Sequence, residues 1–500
     1  MGTKQQTKAA STGKNLDVPS KSDKNKAPLQ NEETKPSNVE KSNKHSKEKK
    51  GLWNWLKNNI DSKQIVNLIV AITATIIGGL FVFFAQREIT NIVIHNRCYS
   101  RPYITFESDY TQVFRLSNSV PYLEYSVGES RWKELGTQNI VFGGSHGKLL
   151  LRGKSKLGTN GANISFASNA EVICTGDIRT LIDYEQYETT STNKAVFASL
   201  FSGCSQLVVA PNLPITDLAT QCYRSMFLGC TSLKNAPILP ATKLSDQCYL
   251  CMFYGCTSLK KAPELPATQL TERCYGIMFY GCTSLETVPF ELPATELAER
   301  CYLGMFDKCT SLISPPVLPA TKLADQCYME MFKDCVSLQT IPQLPATTLA
   351  NECYNKMFAG CTSLRYASEL PATKLANRCY ENMFSRCTSL EYPPALPATE
   401  LAECCYAGMF YCCTSLKKTP LLPALEVNHF SYYWIMFYGC TSLSEATMLA
   451  TKIDAVGFQT DPMFWLKDAS PTGTFYKNKN ATWSNDGIVP PGWKVVLVDP

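Results

Sequence analysis

Leu239–Glu264 reads LPATKLSDQCYLCMFYGCTSLKKAPE, and near copies of it fill most of the second half of the chain. Its Met-Phe pair recurs at Met226, Met252, Met278, Met305, Met331, Met357, Met383, Met409 and Met436, in steps of 26 residues with two of 27. Leu200-Phe201 is a degenerate first copy and Met463-Phe464 a truncated last one. No copy is large enough to bury a core alone, so repetition at this length predicts a solenoid whose turns pack on one another. Stacked extended segments lie ~4.8 Å apart, which gives about ten turns a length of roughly 50 Å.

Within a turn, the spacing of apolar residues assigns the elements. Leu270, Cys274, Met278 and Cys282 are four apart, as are Leu323, Cys327, Met331 and Cys335, and this spacing predicts a short helix. The TSLKKAPELP that follows predicts a short strand with Leu259, Ala262 and Leu265 inward. Pro266 ends it, as Pro240, Pro293, Pro319 and Pro345 end its equivalents, because proline fixes φ and cannot donate to a ladder. The recurring LPATK and LPATE are read as these strand ends and not as sorting signals, since no glycine and no C-terminal apolar tail follows.

The 500-residue chain holds 23 cysteines, an odd number that cannot all pair within it. One ladder is Cys222, Cys248, Cys274, Cys301, Cys327, Cys353, Cys379 and Cys405. The other is Cys204, Cys230, Cys256, Cys282, Cys309, Cys335, Cys361, Cys387, Cys413 and Cys440. Both fall on inward positions and are read as a spine of small hydrophobes. CYGIMFYGC has the wrong spacing for a zinc pair, and eight residues along a helix span ~12 Å, beyond a disulfide. Equivalent cysteines on adjacent turns come within reach, but their side chains run parallel. Cys404 and Cys412 stand where other turns hold Gln, Arg, Gly or Lys, and are expected to be exposed thiols. The tyrosine after each first-ladder cysteine, such as Tyr249 or Tyr275, is expected to stack along the rod, with a carbohydrate platform as the alternative.

The remaining chain divides into segments of distinct chemistry. Residues 1–50 form a Lys-rich tail, densest at Lys41, Lys44, Lys47, Lys49 and Lys50, with too little apolar surface to fold. It is read as a topogenic, solubilising cytoplasmic tail, with lipid-headgroup or nucleic-acid binding as the alternative. Residues 51–64, with Trp53 and Trp55, are a juxtamembrane amphipathic segment, and the uncharged run 65–85 predicts an uncleaved transmembrane signal anchor. By the positive-inside rule this makes a single-pass membrane protein whose C-terminal ectodomain is extracytoplasmic, in the periplasm or at the cell surface. Residues 98–195 carry strand-like stretches at Tyr103, Gln112, Tyr122, Asn139, Lys148, Asn163 and Ala170, which predict a small all-β Ig-like sandwich. The solenoid occupies 196–470 and a cap 471–500.

The unit CYxxMFxGCTSLxxAPxLPATxL resembles the BspA-like leucine-rich repeats of bacterial surface proteins. YLEYSVGESRWKEL, KLLLRG and TGDIRTL resemble the domain that often precedes such repeats, and GTFYKNKNATWSNDGIVPPGWKVVLVD resembles their closing cap. The likeness covers roughly 400 of 500 residues. It implies a leucine-rich-repeat solenoid and a non-enzymatic surface protein engaged in adhesion, or in protein or glycan binding. The long tail and uncleaved anchor depart from secreted members.

Where the turns differ, a partner can be told apart. The two positions after TSL vary, and Lys260, Lys261, Arg365, Tyr366, Glu391, Tyr392, Lys417 and Lys418 are the candidate partner-binding residues, expected on one exposed face. Mixed charge with tyrosine suits a protein or glycan, and a net charge of +5 does not suggest a nucleic-acid partner. A merely solvated face is the alternative. A structural or signalling envelope protein acting through its cytoplasmic tail is the second reading of the whole chain. No catalytic residue, metal ligand or cofactor is assigned: there is no CxxC, and His45, His95, His146 and His429 are scattered.

Overall fold

In each turn's CYxxMFxGC segment, alternate backbone N–H groups leave the turn altogether. Tyr223, Ser225, Phe227 and Gly229 donate to the carbonyls of Cys248, Leu250, Met252 and Tyr254 in the next turn, at 2.7–2.9 Å. The residues between them, Arg224, Met226, Leu228 and Cys230, donate three residues back within their own turn, each at 3.1 Å. The segment is thus a spiral of overlapping β-turns. Every fourth residue (Gln221, Ser225 and Gly229, then Gln247, Cys251 and Gly255) has φ between 54° and 71°. Positive φ at the third position is what a type II turn requires.

This overturns the short helix expected in every turn. An α-helix keeps its N–H groups for itself and needs 8–10 Å to its neighbour. Here the tyrosine rings of successive turns from Tyr223 to Tyr433 stack 5.6–6.1 Å apart. The phenylalanine rings from Phe201 to Phe437 stack 5.4–5.8 Å apart. At that spacing only a chain that shares its hydrogen bonds with both neighbours can satisfy its backbone.

The computed structural model describes residues 102–128, 130–427, 430–453 and 465–499. Among them, helical elements are confined to three short 3₁₀ segments, Gly144–His146, Ile178–Leu181 and Phe430–Tyr433. The expected transmembrane helix, and with it the single-pass location and extracytoplasmic ectodomain, is corrected too. No helix among the described residues is long and apolar enough to cross a membrane. Residues 65–85, the Lys-rich tail and Cys98 lie outside those residues.

The all-β region consists of two packed sheets. Strands β1 (Ile104–Glu107), β3 (Leu123–Val127), β4 (Lys133–Glu134), β6 (Leu149–Gly153) and β8 (Val172–Thr175) join β9 (Leu207–Val209) in the order β4-β3-β6-β1-β8-β9. Strands β2 (Gln112–Leu116), β5 (Ile140–Phe142) and β7 (Ile164–Phe166) form the second sheet, ordered β5-β2-β7. Phe106 of β1 meets Phe114, Phe142 and Phe166 of the other sheet at 5.5–6.4 Å between ring centres. Because β9 belongs to the first solenoid turn and pairs in parallel with β8, the sheet runs on into the array. Phe106 also lies 6.2 Å from Phe201, the first ring of the phenylalanine stack.

The extended arm of each turn touches its neighbours through single parallel bridges such as Lys261↔Thr287 and Tyr366↔Tyr392, with Leu259, Ala262 and Leu265 buried beneath. One of the two 27-residue steps is explained by one extra residue, Phe290, in VPFELPAT, which bulges outward and is 82% exposed. The small β10 (Glu426–Val427) pairs with β12 (Lys452–Ile453) beside the last turns. Strands β11 (Glu445–Met448), β13 (Thr474–Asn478) and β14 (Lys494–Val498) close the array as a parallel sheet. Trp465 turns its ring 67° across Phe437 and so ends the phenylalanine stack. The indoles of Trp465, Trp483 and Trp493 donate to the carbonyls of Ile488, Ala450 and Ser470, each at 2.8 Å.

Candidate partner-binding face

Each TSL triplet ends with its leucine driven into the core, as Leu259, Leu364, Leu390 and Leu416 are, so the next two residues emerge on the surface. Lys260, Lys261, Arg365, Tyr366, Tyr392, Lys417 and Lys418 are exposed and Glu391 is half-buried. They share one face but do not form one cluster. Lys260 and Lys261 lie four turns from Arg365 and Tyr366, roughly 20 Å at the spacing of stacked strands. The other six occupy three consecutive turns.

Lengthwise contacts tie part of this face together. The Arg365 guanidinium donates to Glu391 at 2.6 Å, and the Tyr366 and Tyr392 rings stack 5.3 Å apart with planes 8° from parallel. Lys260 lies 3.8 Å from Glu286. Among the described residues, Lys417 and Lys418 pair with no carboxylate. A polar stripe through Asp325, Gln326 and Asn351 offers less to a ligand, because its groups bond to each other. Asn351 Nδ2 donates to Asp325 Oδ2 at 3.2 Å, and Gln326 Nε2 to Glu352 Oε2 at 2.9 Å.

The ladder cysteines face inward and are buried. In the second ladder Cys204 donates to Ile164 O of β7, and each thiol from Cys230 to Cys440 donates to the carbonyl of the stacked phenylalanine in the preceding turn. Cys230 reaches Phe201 O, and Cys335 reaches Phe306 O, both at 3.1 Å. Burial pushes the Cys222, Cys282 and Cys387 thiols up to about 12, so they stay protonated and inert at neutral pH. Cys404 and Cys412 are half-buried, and so is Cys251. All three occupy the outward positive-φ positions of the turn spiral, which is why they leave the ladders. The Tyr223–Tyr433 ladder is buried, and the hydroxyls of Tyr223, Tyr249, Tyr302 and Tyr354 find no partner, so it is core and not a carbohydrate platform.

Two features escaped the sequence reading. Phe290 could have been found from its 27-residue step, since an inserted residue must leave the regular inward pattern. The second is Asp307, buried with Oδ1 unpartnered and Oδ2 3.8 Å from Lys333 Nζ. Burial raises its carboxyl to about 6, against the pull of Lys333. Nothing in a Phe-Asp-Lys-Cys string marks it as different from the Phe-Tyr-Gly-Cys of other turns.

A crystal structure of a leucine rich cell surface protein from Faecalibacterium prausnitzii A2-165 is similar at 19% identity, over 58% of this chain and 77% of that one, with a TM-score of 0.31. No curated protein sequence matches. The family profile described as BspA type Leucine rich repeat region matches in six copies, over residues 182–313 and 325–460. With more than half of its length so matched, and with the repeat geometry described above, the chain belongs to the BspA type leucine-rich repeat family.

Proposed function

We propose that this is a surface protein that binds, rather than transforms, a protein or glycan partner, and that it does so on the face following the TSL triplets. The observation carrying this reading is the contrast between constant interior and variable face. From Cys222 to Leu443 the buried positions repeat Cys, Tyr, Met, Phe, Cys and Leu almost unchanged. The exposed pair changes from Lys-Lys to Glu-Thr, Arg-Tyr, Glu-Tyr and back to Lys-Lys. A partner lying along several turns meets a pattern that belongs to this chain and not to the repeat. Buried, protonated thiols support binding over catalysis, since the nucleophile in thiol chemistry is the thiolate.

The test is binding of the full chain to an array of matrix proteins and glycans. Arg365→Ala/Tyr366→Ala should weaken the captured partner at least tenfold, whereas Lys322→Ala, outside the TSL face, should leave it unchanged. Equal binding by both variants would remove the face from the mechanism.

A further inference from the structure

The column holding the tyrosine pair continues from Tyr366 and Tyr392 to Lys418, each on the next turn. Tyr366 covers one face of Tyr392, so the other face of that ring is turned toward the turn of Lys417 and Lys418. Tyr392 is 49% exposed, and among the described residues no cation sits over its ring. Charge is uneven along the column. Arg365 is held by Glu391 and lies 5.7 Å from the Tyr366 ring centre, so its charge is already answered. The two lysines are exposed and make no ion pair among the described residues; Glu391, one turn before Lys417, is already held by Arg365, and Glu445 lies one turn beyond Lys418.

A half-exposed aromatic ring about one turn from two lysines that make no ion pair among the described residues has a definite chemical complement: a flat, C–H-rich ring carrying an anion. We propose that Tyr392, Lys417 and Lys418 form a subsite for an acidic saccharide, a pyranose whose C–H face lies on Tyr392 while its carboxylate meets the lysines. A protein partner would also need a broad apolar surround, but beyond Tyr366 and the half-buried Pro393 the exposed positions on this face of the adjacent turn are Lys417 and Lys418. The inference rests on the binding-face reading above and names the ligand for one end of that face. The lysines supply attraction that salt screens, and the ring supplies the part that salt does not.

The probe is an oligogalacturonate titrated into the full chain, with its methyl-esterified form and polyglutamate as comparisons. The uronate chain should bind, and both the neutral ester and polyglutamate should bind at least several-fold more weakly. Tyr392→Ala should cost about three- to tenfold in affinity, while Tyr392→Phe should retain it. Lys417→Ala/Lys418→Ala should cost about as much and flatten the salt dependence. Lys322→Ala, exposed but outside the TSL face, should do nothing. No uronate binding, polyglutamate binding as tightly, or an equal loss in the Lys322 variant would each overturn the subsite. If the array partner is still lost on Arg365→Ala/Tyr366→Ala while uronate fails to bind, the ligand class falls and the face stands. If neither responds, both fall.

Discussion

Gly281 separates a spiral of turns from a helix by the sign of a single substitution. It sits at φ 69° and donates its N–H to Asp307 O at 2.8 Å, and a Cβ built there would meet nothing within 4 Å. Steric exclusion therefore plays no part in Gly281→Ala, and only backbone preference acts. Holding alanine in the left-handed region costs about 1–2 kcal/mol, of which about 0.5–1 kcal/mol is offset because the unfolded chain also loses freedom. The net is a loss of about 1 kcal/mol, which lowers Tm by about 2–4 °C for an array of this size. In a helix interior the same change would gain about 1 kcal/mol and raise Tm by a similar amount. Thermal melts of the two proteins, followed by circular dichroism, decide between them. A higher Tm for Gly281→Ala would refute the turn spiral. The reverse change, Arg386→Gly at φ 62°, should not destabilise, since the strain it relieves offsets the added freedom of the unfolded chain.

The thiols give a second check. Maleimide should label Cys251, Cys404 and Cys412 in the folded protein well before any ladder cysteine, and the Cys251 and Cys404 reactions should quicken as pH rises, because burial raises both thiols. Mass spectrometry that found Cys230 or Cys335 labelled as early would contradict the buried, hydrogen-bonded ladder. Asp307 gives a pH dependence of defined sign. Its folded pKa of about 6 lies above the usual 3.8, so the native state binds the proton more tightly and stability rises as pH falls through 6 toward 4. Two units correspond to about 3 kcal/mol at most, and screening reduces this to about 1 kcal/mol. Asp307→Asn should be more stable than the parent at pH 7 and equal to it near pH 4. Urea melts at both pH values that showed no such convergence would count against the assignment.

The period, the inward residues and the stacking were legible because they repeat. What a residue spacing of four cannot do is distinguish a helix from overlapping turns. Over the eight residues from Cys222 to Cys230, a period of 3.6 drifts about 80° from a period of four, too little for a short stripe to reveal. The telling signal lay on the outside, in glycine returning just before the second cysteine at Gly229, Gly255, Gly281 and Gly360, all at positive φ. A helix has no use for glycine at a fixed outward position. The exposed pair after TSL was legible for the same reason as the core, since a leucine fixed inward fixes its successors outward. The Arg365–Glu391 pairing and the free lysines were not, because they depend on which side chains on adjacent turns reach each other.

The close spacing explains why interior and face obey different rules. At about 5.5 Å between equivalent rings, the nearest neighbour of each buried side chain is its own copy in the turn before and the turn after. Tyrosine must fit tyrosine and phenylalanine must fit phenylalanine, while each second-ladder thiol from Cys230 onward must find the carbonyl one turn back. A change in one turn therefore disturbs two contacts at once, and the interior tolerates little variety. An exposed residue faces the same neighbours with water as an alternative, so Lys, Glu, Arg and Tyr can follow one another there at small cost. Specificity in such an array is confined by this geometry to the outward columns. A residue on them that breaks its column's pattern, as Phe290 and the Tyr366–Tyr392 pair do, distinguishes this chain from its own repeat more than all the cysteines of the core.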